Sequence, residues 1–127
     1  MSAFEPKIVY IAHPISGAVE KNIKLIIEIC KKHLSSEIFP FAPYLAFLLF
    51  LNNESIKDYS IGIWMNKQFF KTKFIHELWL FGDRISDGMK EEIKWALKYK
   101  IPIIAKTTET KKALKQLMST KKGAIKK

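Results

Sequence analysis

The sequence predicts an α/β fold: a mostly parallel sheet of four to five strands with helices on both faces, a three-layer sandwich. Short β-branched apolar runs alternate with helix-period stretches of about 10 to 15 residues, the pattern of successive βαβ crossovers. Those runs are apolar almost throughout, as strands buried on both faces require. The chain has 127 residues, 48% hydrophobic and 27% charged, enough for one domain with one core of moderate size.

The elements follow in order. Lys7 to Ala12 is a β-branched apolar run that stops at His13-Pro14, with Gly17 beyond, and reads as a strand entering a loop. From Ala18 to Leu34, Ile23, Ile26, Ile27, Cys30 and Leu34 recur at helical spacing while Glu20, Lys21, Lys24, Glu28, Lys31 and Lys32 fill the other face. Glu37 to Phe41 is a second strand, which Pro40 and Pro43 make short or confine to an edge. Helices are expected from about Tyr44 to Leu51 and Ile56 to Lys71. Glu77 to Phe81 is a buried strand ending at Gly82, and the polar loop Asp83 to Gly88 leads into a helix from about Met89 to Tyr99. Ile101 to Ala105 is a further strand and Thr108 to Met118 a final helix, which sets a domain at residues 1–118 and a basic C-terminal tail at 119–127.

Charge points first to a polyanion partner, because 22 basic residues against 12 acidic ones leave +10. Position weakens that reading. Residues 106–127 hold eight Lys against the single acid Glu109, so the body carries only +3. All the basic residues but one are Lys, a poor reader of bases, and the one Arg is Arg84. No nucleic-acid or membrane partner is expected beyond loose polyanion contact by the tail. Cys30 is alone and no signal peptide is evident, so a cytoplasmic protein is expected.

In parallel sheets ligands sit beyond the carboxyl ends of the strands, where strand order reverses. Two loops qualify, His13 to Gly17 and Asp83 to Gly88. In the second, the free N–H groups of the following helix, with Gly88 allowing close approach, suit an anion, and Ser86 and Arg84 add a hydroxyl and a guanidinium. Alternatively Ser86 or Asp87 caps the helix and Arg84 pairs with a surface acid. Glu92 lies one turn beyond Gly88 on a face with Ala96, flanked by Ile93 and Leu97, the placement of a nucleophile or general base; the competing reading is a solvated Glu paired with Lys, which suits Glu91 better. The first loop offers the imidazole of His13, the hydroxyl of Ser16 and the turn of Gly17, each also explicable as backbone chemistry. Tyr10 or Tyr44 could lie near a bound base. His33, His76 and Cys30 lack metal-ligand spacing, so no metal is expected.

The combination of Val9 to Gly17 (VYIAHPISG), Phe41 to Tyr44 (FAPY) and Glu77 to Met89 (ELWLFGDRISDGM), followed by Glu92-Ile93 and Ala96, resembles a bacterial and phage branch of the nucleoside 2-deoxyribosyltransferase-like superfamily, over about residues 7–105. The resemblance implies a flavodoxin-like (Rossmann-like) fold and cleavage or transfer at the N-glycosidic bond of nucleosides or their 5′-monophosphates, by a hydrolase or transferase using a double displacement like that of retaining glycosidases. It places Glu92 as the nucleophile and Ser86, six residues earlier, on the 5′-phosphate. It also brings in Ser16 and Gly17, with Tyr10, His13, Asp83, Arg84, Asp87, Gly88 and Met89 as the remaining lining. No cofactor is implied. One departure stands out: the superfamily's enzymes carry an aspartate on the helix before the Glu77 strand, and here that neighbourhood reads Asn66-Lys67-Gln68-Phe69, with no carboxylate between Asp58 and Glu77.

Two functions follow as expectations. The first is an N-glycosidic bond hydrolase or transferase acting through Glu92. The second is a non-catalytic nucleotide-binding protein that senses or sequesters a nucleotide-derived signal. The aromatic content of 13%, with Phe47, Phe50, Trp64, Phe69 and Phe70 crowded into the middle helices, exceeds what so small a core readily buries and predicts a homodimer or larger homo-oligomer.

Overall fold

A computed structural model describes residues 5–52 and 55–125. Among the described residues four strands and five helices follow in the order β1 (Lys7–Ala12), α1 (Val19–His33), β2 (Ile38–Phe41), α2 (Tyr44–Phe50), α3 (Ile56–Lys71), β3 (Glu77–Leu80), α4 (Asp87–Lys98), β4 (Ile103–Ala105) and α5 (Thr108–Ile125). The sheet has the order β2-β1-β3-β4 and every pairing is parallel. This is the flavodoxin-like three-layer sandwich, with four strands and its switch point between β1 and β3.

The central strand β1 shows why its residues are apolar on both faces. Tyr10 and Ala12 point to one side with Leu78 and Leu80 of β3, into a cluster with Phe70, Met89, Ile93 and Ala96 from α3 and α4. Val9 and Ile11 point to the other side with Trp79 and Phe81, against Ile29 and Cys30 of α1. Pro40 does sit on an edge strand, where its missing N–H breaks no ladder. Ser55 caps α3 through a 3.3 Å bond from the Asp58 N–H.

Three boundaries differ from the sequence expectation by two residues or more. α4 begins at Asp87, because Ser86 already caps it. β4 begins at Ile103, since residues 99–101 form the end of α4: Lys100 takes a positive φ of 60° and the Ile101 N–H returns to the Ala96 carbonyl. The final helix does not stop at Met118 but continues to Ile125, so most of the expected tail is helical backbone. Lys is a good helix former, and nothing from Met118 to Lys122 breaks the pattern. Among the described residues no helix is long and apolar enough to cross a membrane.

Candidate functional site

The carboxyl ends of β1 and β3 adjoin at the switch point, and the loops that leave them interlock. Gly82 follows β3 with φ +97°, and a Cβ there would lie 2.5 Å from Pro14 Cδ and 3.1 Å from its Cγ. Only glycine meets both demands. Across the same junction Arg84 donates to the Ser16 carbonyl (3.0 Å) and to Asp83 Oδ1 (3.2 Å), tying the β3 loop to the β1 loop. Gly17, at φ +94°, turns the chain into α1 beneath that guanidinium.

These loops frame a cleft of about 450 Å³ lined by His13, Ser16, Gly17, Asp83 and Arg84, as the sequence suggested, and by Lys21, Asn22 and Leu25 of α1. Sequence reasoning placed Lys21 on the polar face of an amphipathic helix and did not single out Asn22. Asn22 donates to the Ile15 carbonyl (2.9 Å), which fixes the start of α1 against the loop. The Ala18 N-cap brings no side-chain bond to that start, so the first N–H groups of α1 have neither an intrahelical nor a capping partner.

The second group of expected residues lies at α4. Ser86 Oγ accepts from the Met89 N–H (3.3 Å), and the Ser86 N–H meets Met89 Sδ at 3.5 Å, a reciprocal box in which a thioether replaces the usual carboxamide. Ser86 is thus the helix cap, and Met89 is buried in the core. Asp87 and Gly88 are exposed on the first turn, Asp87 within 3.8 Å of Lys90. Glu91 pairs with Lys94 at 3.1 Å on the surface.

Glu92 takes the opposite course. Its side chain turns inward, where the Tyr10 hydroxyl donates to Oε2 at 2.6 Å. Burial pushes the carboxyl up to about 8, with the Tyr10 hydrogen bond working against that rise. Both neighbouring tyrosines are held well above their ordinary range, chiefly by burial and then by the charge of Glu92. Tyr10 is fully buried, and the Tyr44 hydroxyl donates to the Ile11 carbonyl, so neither ring stands free to stack on a base. On the adjoining helix α3, Asn66 buries a side-chain oxygen that has no hydrogen-bond partner among the described residues. It lies one turn before Phe70, whose ring packs on Tyr10 (centroids 5.0 Å apart) and on Trp95 of α4 (5.5 Å).

The expected residues therefore form two groups rather than one. His13, Ser16, Gly17, Asp83 and Arg84 line the cleft on the α1 side, while the buried Tyr10 and the partly exposed Glu92 meet between β1 and α4, below the Ser86 cap.

A family model described as Domain of unknown function (DUF7768) matches residues 7–106, well over half the chain. The chain belongs to the DUF7768 family. No curated protein and no solved structure gives a significant match. The matched span runs from the first residue of β1 to just past β4, so this DUF7768 domain contains both residue groups and leaves α5 outside. Among its described residues no three His, Cys, Asp or Glu side chains are placed to hold a metal ion.

Proposed function

We propose that this protein binds a nucleoside or nucleoside 5′-monophosphate at the β1/β3 crevice and cleaves or transfers its N-glycosidic bond through Glu92. The observation that carries the reading is the Tyr10–Glu92 pair: a carboxyl one turn and a half inside α4, near the switch point, held by a hydroxyl and raised by burial toward neutrality. In the reaction an ionised Glu92 oxygen bonds to the anomeric carbon. The carbon–nitrogen bond breaks, its electron pair leaves with the base, and the base takes up a proton. Water or a second base then displaces Glu92 and restores the carboxylate. The similarity to nucleoside 2-deoxyribosyltransferase-like enzymes supports these roles for Glu92 and, on phosphate, for Ser86.

A second reading keeps binding without turnover. It is favoured by the run Asn66-Lys67-Gln68-Phe69, which holds no carboxylate where the superfamily's enzymes carry an aspartate, and an amide such as Asn66 or Gln68 cannot take up a proton at neutral pH. The protein would then sense or sequester a nucleotide in the cytoplasm. Under either reading we propose a homodimer, built on the apolar face that α2 and α3 leave exposed.

Incubation with a panel of nucleosides, deoxynucleosides and their 5′-monophosphates, followed by chromatography for free base, tests the first reading. Base release lost in Glu92→Ala supports it, whereas release unchanged in that variant refutes the assignment. No release, with a thermal shift on ligand addition, selects the binding reading.

A further inference from the structure

Residues 107–127 lie outside the family match and hold seven Lys against the single acid Glu109. A solvated tail would offer those charges only loosely. The structure instead builds positions 108–125 into α5, a helix of 18 residues and so about 27 Å long. Its start is fastened to the sheet. Thr110, fully buried, donates through Oγ1 to the Leu80 carbonyl (3.3 Å), and Thr107 donates through Oγ1 to the Gly82 carbonyl (2.8 Å) while accepting from the Thr110 N–H (3.1 Å). Farther along, Leu114 and Leu117 pack against the core. Thr110, Leu114 and Leu117, at i, i+4 and i+7, hold one face of the helix inward, and Lys111, Lys112 and Lys115 stand exposed beside it. Lys121 and Lys122 continue the same helix.

On α4, Lys90 lies 3.8 Å from Asp87 and Lys94 3.1 Å from Glu91. On α5, among the described residues, neither Glu109 nor Lys111, Lys112 or Lys115 makes an ion pair. Lys111 and Lys115 are one turn apart, and like charges at that spacing disfavour the helix. A partner that brings a row of negative charge removes the repulsion. Ala113, Leu114, Leu117 and Met118 are all at least partly buried, so the described part of α5 offers no free apolar face to a bilayer, which an interfacial helix needs. A nucleic-acid duplex carries one negative charge per about 1.7 Å of its axis, so a helix laid against it meets phosphates along its length. Lys neutralises them as a point charge, without the planar fork that reads bases. We propose that α5 is a docking surface for the phosphate backbone of duplex nucleic acid, bound without sequence preference through Lys111, Lys112 and Lys115. It depends on neither Glu92 nor the β1/β3 cleft.

Fluorescence anisotropy of the full chain with short labelled DNA duplexes of two unrelated sequences tests the proposal. Both are expected to bind equally, with a dissociation constant of about 1–100 μM at physiological salt and a slope of log affinity on log salt of about −3, the release of counterions from about three phosphates. The triple variant Lys111→Gln, Lys112→Gln, Lys115→Gln retains good helix formers and is expected to keep the wild-type circular dichroism. It should weaken duplex binding by about tenfold or more and bring the slope toward zero. The triple variant Lys24→Gln, Lys31→Gln, Lys32→Gln removes the same charge from exposed positions of α1 and is expected to change duplex affinity by less than about twofold. Equal weakening by the two triple variants would make binding an effect of net charge and overturn the proposal. Wild-type affinity in the α5 variant overturns it, as does a preference for one duplex sequence. Absence of duplex binding at low salt, or binding to phosphatidylserine vesicles in its place, does the same.

Discussion

The Tyr10 hydroxyl on the central strand donates to Glu92 Oε2 at 2.6 Å, joining sheet and helix through a carboxyl whose pKa burial pushes up to about 8. Removing the hydroxyl alone takes away the one interaction that favours the charged form. Tyr10→Phe is therefore expected to raise the Glu92 pKa further above about 8 and to destabilise the fold by about 1 kcal/mol. Carboxyl-carbon NMR titration and urea denaturation measure the two effects. A Glu92 pKa that falls in the variant would show that the hydroxyl does not favour the carboxylate.

Glu92 also makes stability depend on pH, with a definite sign. Its folded pKa of about 8 lies above the ordinary 4.5, so between those values the native state keeps a proton that the unfolded chain releases. Stability contributed by the neutral carboxyl is present at low pH and is lost as pH rises toward about 8. Glu92→Gln, neutral at every pH, is expected to flatten that decline and to be more stable than wild type by about 1–2 kcal/mol near pH 9. If Glu92 is the nucleophile, base release should rise with pH over the same interval, since only the carboxylate attacks. A rate that falls from pH 6 to pH 8 would instead assign Glu92 as a proton donor.

Ser86 has a structural role that can be separated from any part in binding. Ser86→Ala removes the acceptor for the Met89 N–H and is expected to cost about 1 kcal/mol, read as a lower thermal midpoint. Ser86→Asp keeps an acceptor at the cap and should recover most of that loss while placing a negative charge beside any phosphate. Full stability with weakened 5′-monophosphate binding in Ser86→Asp is the expected pair of results. Unchanged binding would remove Ser86 from the phosphate site.

The surface of α2 and α3 carries an unusual share of exposed apolar side chains. Leu49 is 88% exposed, Ile56 84%, Phe50 66% and Trp64 62%. Such a patch is what a subunit interface looks like in an isolated chain. A dimer mass is expected by light scattering at micromolar concentration, and Ile56→Lys with Trp64→Lys should convert it to a monomer. A wild-type monomer would contradict the proposed assembly.

Much of the architecture was legible because β1 and β3 are apolar on both faces and α1 and α4 are amphipathic, signals that local sequence contains in full. The inward turn of Glu92 was legible for the same reason, since Ile93 and Ala96 mark the buried face of α4 and leave Glu91 outside. The end of α5 was not, because the charge of its Lys run suggests a solvated tail even though Lys is a good helix former. The division of the site was hidden for a different cause. Whether His13 and Glu92 share one pocket depends on which side of the sheet each loop favours, and that is settled by contacts such as Arg84 to Ser16, 68 residues apart in the chain. Lys21 joins the cleft through the same long-range packing.

The contact between Gly82 and Pro14 constrains which sequences this crevice can accept, and in what order they can change. Position 82 needs glycine on two counts, its positive φ and the space occupied by the Pro14 ring. Replacing Pro14 by a smaller residue would relieve only the second. A side chain at 82 therefore cannot be admitted by a single compensating change at 14; the backbone of the β3 loop would have to be redrawn as well. The two loops that frame the cleft must vary together, and a new ligand preference at this crevice is reached more easily through Lys21 and Leu25 of α1, which carry no such condition.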